Sequence, residues 1–125
     1  MKVLVAEDDK LLGQAYKLKL SKAGLDVKVV SDGSELIKAL ESLTPDIIIL
    51  DLIMPKMDGF AVLTELKKNP AWDKIPVIVS SNLGQSDDIV KATKLGADEY
   101  IVKTDLSIGE LVDKINKLIH AKKTP

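Results

Sequence analysis

Five short apolar runs recur along the chain, and segments with helical spacing separate them. The runs are rich in β-branched residues and lack polar alternation, which favours strands covered on both faces, as in a parallel sheet between helices. They are Val3–Ala6, Val27–Val30, Ile47–Leu50, Val77–Val79 and Tyr100–Val102. This pattern predicts five buried strands of one sheet.

The intervening segments carry apolar residues at helical spacing. In the last and clearest one, an apolar stripe follows the capping pattern Ser107-Ile-Gly-Glu110. The stripe consists of Ile108, Leu111, Val112, Ile115, Leu118 and Ile119. The earlier predicted helices are Lys10–Ala23, Ser34–Leu43, roughly Gly59–Lys68 and roughly Gln85–Lys94. A strand followed by a helix, repeated five times with right-handed crossovers, predicts an α/β fold with a doubly wound, five-stranded parallel sheet.

The length and composition fit one domain. A chain of 125 residues, of which 46% are hydrophobic, is large enough to bury a core. We therefore predict a single domain over residues 1–125. Its end, at about residues 121–125, has the composition of a frayed basic tail.

Charge and cysteine content exclude several classes of function. The formal net charge of -1 provides no basic field for nucleic acid or anionic lipid, so this domain alone is expected to bind neither. The absence of cysteine excludes thiol catalysis and thiolate metal sites. The apolar start of the chain meets Glu7 too early for a signal peptide or a membrane anchor, so a cytoplasmic location is expected.

Carboxylates follow two of the predicted strands, at the edge where doubly wound sheets bind ligands. Glu7 and Asp8 come after the first strand, and Asp51 comes after the third. If these strands are neighbours, the three acids converge, and two such charges ~4 Å apart repel by about 4 kcal/mol at an effective dielectric of about 20. Such a cluster needs a cation, and a partial set of hard oxygen ligands favours Mg²⁺.

A hydroxyl and an ammonium group follow two further strands, at Ser81 and Lys103. A carboxylate beside a metal ion and a lysine can attack phosphorus and form an acyl phosphate, a role that we assign to Asp51. Lys103 would neutralise the phosphoryl oxygens, and Ser81 would hydrogen-bond one of them. Viewed singly, Asp8 is as readily explained as a helix cap and Lys103 as a solvated lysine, so the prediction depends on their convergence.

These residues resemble the receiver domains of two-component response regulators, and the resemblance runs the whole length of the chain. It rests on the acidic pair Glu7-Asp8, on Ser81, Tyr100 and Lys103, and on the segment Asp51-Leu-Ile-Met-Pro55-Lys-Met-Asp58-Gly59. The resemblance implies a flavodoxin-like (β/α)5 fold with the strand order 2-1-3-4-5. It also implies that a phosphohistidine on a histidine kinase or a histidine phosphotransfer protein donates a phosphoryl group to Asp51.

The resemblance further implies a metal site. Asp8 and Asp51 would ligate Mg²⁺ directly, and Glu7 would act largely through water. The backbone carbonyl of Ile53 would complete the protein ligands. The domain would then be a stoichiometric switch that promotes only its own phosphorylation and dephosphorylation, and not an enzyme with turnover.

The same resemblance implies a way of reading out the phosphate. Ser81 would move toward the phosphoryl group, and Tyr100, the family's switch aromatic, would turn inward. The face formed by the fourth helix, the fifth strand and the fifth helix would then change its preference for a downstream protein target.

Several positions depart from the family pattern. Thr104 stands after Lys103, where receivers usually have a proline in a cis bond; a cis bond to another residue costs about 2.5–4 kcal/mol, so a trans bond is expected. Asn82 occupies a position that is usually alanine or glycine. Ile53 and Leu83 are apolar. In the family, residues at these two positions influence the water that hydrolyses the acyl phosphate, so slow loss of the phosphate is expected.

Other functions share parts of this pattern. A flavodoxin-like cofactor binder has the same layers, but the acidic run after the first strand would repel its phosphate. A Mg²⁺-dependent phosphatase with an aspartate nucleophile typically has a second acid two residues later, where this chain has Ile53. A degenerate receiver would bind partners without phosphorylation, which the intact set of site residues argues against.

Overall fold

Strands and helices alternate along the chain, five of each within the described residues. The structure is a computed structural model, and it describes residues 1–54, 56–81, 86–103 and 107–123. The strands are β1 (Lys2–Ala6), β2 (Asp26–Val30), β3 (Ile47–Leu50), β4 (Val77–Ser81) and β5 (Glu99–Val102). The helices are α1 (Lys10–Lys22), α2 (Gly33–Leu40), α3 (Gly59–Lys68), α4 (Ser86–Lys94) and α5 (Ile108–Lys123). The predicted β-α repeat is confirmed.

All five strands run parallel in one sheet, in the order β2-β1-β3-β4-β5. This order confirms the predicted doubly wound, flavodoxin-like topology. The chain changes direction across the sheet between β1 and β3, which are paired with Ala6 opposite Leu50. Glu7 and Asp51, which follow these two residues, therefore stand side by side at the carboxyl edge of the sheet, where such folds bind ligands.

Alternate side chains of the central strand pack into two separate cores. Ile48 and Leu50 belong to the core that also contains apolar residues of α2, α3 and α4, whereas Ile47 and Ile49 belong to the core shared with α1 and α5. All four residues of β3 are at most 1% exposed. Because both faces of the strand are removed from water, its sequence is apolar without alternation.

Aspartates cap the first three helices. The Asp9 carboxylate accepts hydrogen bonds from the backbone N–H groups of Leu11 and Leu12, at 3.0 and 3.2 Å. Asp32 and Asp58 cap α2 and α3 in the same way. Each cap satisfies N–H groups that have no partner within their own helix. Asp9 is thus a helix cap, although it stands next to the two acids that follow β1.

Two helix ends differ from the sequence prediction by more than one residue. α2 ends at Leu40 and not at Leu43, because the N–H groups of Glu41 and Ser42 bond to carbonyls three residues back and tighten the last turn. α5 continues through Lys123 and so includes the first three residues of the segment, 121–125, that was predicted as a tail. Within the described ranges, no helix is long and apolar enough to cross a membrane.

Gly59 begins α3 against the end of β3, in a space that has no room for a side chain. An added Cβ would lie 2.4 Å from the carbonyl oxygen of Asp51 and 2.7 Å from the Cα of Leu52. We expect Gly59→Ala to lower the free energy of unfolding in urea by about 1–3 kcal/mol, the usual cost of overpacking.

The matched control is Gly109, in the first turn of α5, where an added Cβ would meet only the Oγ of Ser107, at 3.8 Å. Gly109→Ala should therefore keep the stability within about 1 kcal/mol of the wild type. Equal stability of the two variants would contradict the close packing of α3 against the end of β3.

Candidate functional site

Three carboxylates meet at the carboxyl edge of the sheet. One oxygen from each of Glu7, Asp8 and Asp51 lies within 4.8 Å of the others, an arrangement that could hold a metal ion. Glu7 and Asp51 are 4% and 6% exposed, whereas Asp8 is exposed. A cavity of about 400 Å³ adjoins them, lined by Glu7, Asp8, Asp9, Leu12, Asp51, Ile53, Ser81 and Lys103. The fold therefore gathers into one cavity every residue that the sequence proposed for phosphoryl transfer and metal binding.

Asp51 is held by two hydrogen bonds, one to β1 and one from the loop that follows it. Its backbone N–H donates to the carbonyl oxygen of Ala6 at 3.2 Å, which continues the pairing of β1 with β3. Its Oδ1 accepts a hydrogen bond from the backbone N–H of Ile53 at 3.3 Å. The buried apolar strand thus places a carboxylate where little water can reach it, and polar partners must stabilise its charge.

Lys103 supplies such a partner from the end of β5. Its ammonium group donates to Oδ2 of Asp51 at 3.0 Å and also to Oε1 of Glu7, and the lysine side chain is 11% exposed. Burial lowers the pKa of Lys103, but the hydrogen bonds to Glu7 and Asp51 outweigh burial and leave the pKa above its usual value. The lysine therefore stays charged as the counter-ion of two buried acids.

Glu7 is the acid whose protonation responds most to this environment. Burial raises its pKa to about 7, repulsion from Asp51 acts in the same direction, and the hydrogen bond from Lys103 opposes both. The folded protein therefore holds this proton more tightly than the unfolded chain does. The contribution of Glu7 to stability is lost as the pH rises from about 4.5 to about 7.

Ser81 and Tyr100 connect this site to the neighbouring layer of the fold. Ser81 is the last residue of β4, is 1% exposed and lines the acidic cavity. Tyr100 lies on β5 opposite Val79 and is half-buried against the core beneath α2, α3 and α4. Burial raises the pKa of the Tyr100 hydroxyl, and a hydrogen bond with Ser81 opposes that rise. The two residues predicted as a switch are thus in contact.

The remaining positions singled out in the sequence divide into two groups. Ile53 lines the cavity with a side chain that is 60% exposed, and it is the third residue after the end of β3. Asn82, Leu83 and Thr104 lie outside the described residues, as does the peptide bond between Lys103 and Thr104. The predicted trans bond and the effects proposed for these residues stay predictions.

One polar contact close to the site was not predicted from the sequence. The hydroxyl groups of Tyr16 and Ser80 are 3.1 Å apart, and both residues are buried. In the sequence, Tyr16 is only one member of the apolar stripe of α1. A phenol among aliphatic residues was the one available indication, because a buried tyrosine hydroxyl usually finds a partner.

A known protein family matches most of the chain. The family model described as "Response regulator receiver domain" matches residues 3–116. Among curated proteins, the probable transcriptional regulator ycf27 of Cyanophora paradoxa is 34% identical over 124 residues, which are 99% of this chain and 50% of that protein. The chain therefore spans about half the length of this relative.

Solved structures resemble the whole described architecture. The receiver domain of the Francisella response regulator 1452 superposes with a TM-score of 0.91 at 36% identity, over 98% of each chain. The phosphorylated cyanobacterial phytochrome response regulator RcpA has a TM-score of 0.81 at 30% identity, over 98% of this chain and 94% of that one.

The raised pKa of Glu7 predicts that metal binding at this cluster would depend on pH. A divalent cation at the three carboxylates competes with the proton on Glu7, so binding should release protons below about pH 7. We expect the apparent affinity for Mg²⁺, measured by isothermal titration calorimetry, to rise between pH 6 and pH 8 by about tenfold or less. The Glu7→Gln variant cannot release that proton, so its affinity should vary less over this range. The same pH dependence in both proteins would contradict the assignment to Glu7.

Proposed function

Because this chain belongs to the response regulator receiver family, we propose that Asp51 accepts a phosphoryl group from a phosphohistidine on a histidine kinase or a histidine phosphotransfer protein. The observation that carries the proposal is the buried Asp51 carboxylate, bound by the Lys103 ammonium at 3.0 Å within an acidic cavity. RcpA, a similar protein of known structure, is described as phosphorylated, which supports this assignment.

The transfer exchanges one bond to phosphorus for another. A carboxylate oxygen of Asp51 would attack the phosphorus atom while the bond to the donor imidazole nitrogen breaks. That nitrogen keeps the electron pair of the broken bond, and Asp51 becomes an acyl phosphate. Lys103 lies close enough to Asp51 to neutralise charge on the transferred oxygens. The protein contributes by positioning the reacting groups and by neutralising charge on the phosphoryl oxygens, as in other phosphoryl transfers.

We further propose that Glu7, Asp8, Asp51 and the backbone carbonyl of Ile53 hold Mg²⁺. The donor set fits this ion, because carboxylates are hard ligands and the cavity leaves space for water and a phosphoryl oxygen. Lys103 supplies one positive charge against three carboxylates, so the cluster keeps negative charge that a divalent cation would compensate. Bound Mg²⁺ supplies further positive charge for the phosphoryl oxygens.

The phosphatase alternative finds less support at this site. A turnover enzyme would need a group that protonates the leaving oxygen of a free substrate. The residue two positions after Asp51 is Ile53, which is apolar and largely exposed. We therefore propose a signalling domain that is modified once per cycle.

Phosphorylation can be tested with acetyl phosphate, a small donor that requires no kinase. We expect incubation with acetyl phosphate and Mg²⁺ to add the mass of one phosphoryl group to the intact protein, and Asp51→Asn to abolish the adduct. Asp58→Asn is the matched control, since Asp58 is an exposed cap of α3 and asparagine caps helices equally well. Persistence of the adduct in Asp51→Asn, or its absence from the wild type, would refute the proposal.

For readout, we propose that Ser81 moves toward the phosphoryl group and that Tyr100 follows it inward. Ser81 lines the acidic cavity on one side and contacts Tyr100 on the other, so its hydroxyl offers a route from Asp51 to Tyr100 and α4, in addition to the direct contact of Lys103 with Asp51 at the end of β5. α4 packs against β5. The surface formed by α4, β5 and α5 is therefore the proposed binding face for a downstream protein.

Replacing Ser81 by alanine should separate phosphorylation from this readout. In the phosphorylated wild type, we expect backbone amide chemical shifts to change in α4 and β5. Ser81→Ala should still accept phosphate but show much smaller changes there, because the hydroxyl that connects the two sites is gone. Ser34→Ala, on the exposed face of α2, should behave as the wild type. Wild-type shift changes in Ser81→Ala would contradict the proposed coupling.

A further inference from the structure

The hydrogen bond between Tyr16 and Ser80 lies on the face of the sheet opposite Tyr100. Tyr16, on α1, is 5% exposed and Ser80, on β4, is 3% exposed, and their oxygen atoms are 3.1 Å apart. Tyr16 belongs to the core beneath α1 and α5, whereas Tyr100 packs against the other core. Two consecutive serines of β4 are therefore each bonded to a tyrosine, from opposite sides of the sheet.

The Tyr16–Ser80 pair lines a small cavity together with Lys103. A cavity of about 70 Å³ is lined by Leu12, Tyr16, Ser80, Ile101, Lys103, Ser107 and Leu111. Lys103 also lines the larger acidic cavity, so its side chain separates the two spaces. The charge on Lys103 lowers the pKa of the Tyr16 hydroxyl, although burial raises that pKa more, so the two groups are electrostatically coupled.

Packing alone gives no reason for these two hydroxyl groups. The other residues around the small cavity include Leu12, Ile101 and Leu111, and an aliphatic pair would fill the space without the cost of burying polar atoms. One hydroxyl of the pair donates its proton to the other in this hydrogen bond. The accepting hydroxyl keeps its own O–H group, and both oxygens keep lone pairs. These hydroxyl oxygens line the same small cavity as Lys103, and oxygen lone pairs turned toward an ammonium favour its charge.

A lysine requires such restriction more than most residues do. Its four-carbon stem is flexible, and its ammonium is a point charge without the fixed geometry of an arginine. The two hydrogen bonds to Glu7 and Asp51 hold the head of the side chain. Ser80 and Tyr16 line the small cavity that Lys103 also lines, and its described lining residues include no acid.

We propose that Tyr16 and Ser80 are a positioning pair for Lys103, holding its ammonium toward Asp51. The proposal rests on the proposed function, in which Lys103 neutralises the phosphoryl group. Neither hydroxyl touches the reacting atoms, so neither residue is catalytic. Loss of either hydroxyl allows Lys103 to occupy other positions and slows the phosphorylation of Asp51.

The first measurement does not depend on phosphorylation. The ¹⁵N signal of the Lys103 ammonium, assigned by its loss in Lys103→Arg, is compared between the wild type and the variants Tyr16→Phe and Ser80→Ala without any phosphoryl donor. We expect the signal to shift or broaden in both variants. Lys114, which pairs with Glu99 at the start of β5, provides the internal reference and should not change.

The second measurement is the rate at which acetyl phosphate modifies Asp51, under conditions in which urea unfolding shows each variant to be folded. We expect Tyr16→Phe and Ser80→Ala to react about two- to tenfold more slowly, because Lys103 would spend less time within hydrogen-bond distance of Asp51. Ser80→Thr keeps the hydroxyl, and its extra methyl group can enter the adjoining cavity, so it should restore both the rate and the Lys103 signal.

The outcomes separate this inference from the proposed function. An unmodified wild type would refute the proposed function, while the Lys103 signal would still test the positioning. Lower stability of the variants with an unchanged Lys103 signal and an unchanged rate would show a structural role only and overturn the inference. If Tyr16→Phe does not fold, the comparison of Ser80→Ala with Ser80→Thr still tests whether the hydroxyl positions Lys103.

Discussion

The arrangement of the site depends on the ammonium group of Lys103, which lies between two buried carboxylates. Glu7 follows β1, Asp51 follows β3 and Lys103 follows β5, so this interaction joins three strand ends at one edge of the sheet. Neither acid could remain charged there without a partner, because a buried charge without compensation is strongly destabilising. The same interaction places a positive charge 3.0 Å from the oxygen of the proposed phosphoacceptor. Stability of the strand ends and the proposed chemistry thus require the same contact.

One ammonium does not balance three acids, and two properties of the site bear on this imbalance. Burial, with repulsion from Asp51 acting in the same direction, raises the pKa of Glu7 to about 7. Asp8, which is exposed, keeps the mouth of the cavity negative. Both properties suit a site completed by a divalent cation, since the cation would displace the proton from Glu7 and also supply the positive charge that the cluster lacks. The family to which the chain belongs provides the context for this interpretation, and the charges of the described residues provide its physical cause.

The end of β4 connects this charged edge to both layers of helices. Ser81 lines the acidic cavity and contacts Tyr100, while Ser80 bonds to Tyr16 on α1. Alternation along a strand makes this possible, because neighbouring residues face opposite sides of the sheet. One strand end can therefore hold a lysine from one face and transmit a change at Asp51 through the other. In our proposals, these two tasks fall to adjacent serines that look equivalent in the sequence.

The sequence by itself determined the β-α repeat, the five strands and the acidic residues at the strand ends, because apolar runs, helical spacing and strand-end polarity are local patterns. The prediction that all five strands are buried was wrong for β2 and β5, which lie at the edges of the sheet and are partly exposed. The sequence prediction also missed the end of α2 at Leu40. The last turn changes its hydrogen bonding there, although the sequence has no glycine or proline at that point to indicate a helix end. Only the tertiary structure decided that Lys103 reaches both Glu7 and Asp51, and that Tyr16 bonds to Ser80 across 64 positions of sequence. Those contacts depend on strand order and on the packing of α1 against the sheet, which no local pattern of residues specifies.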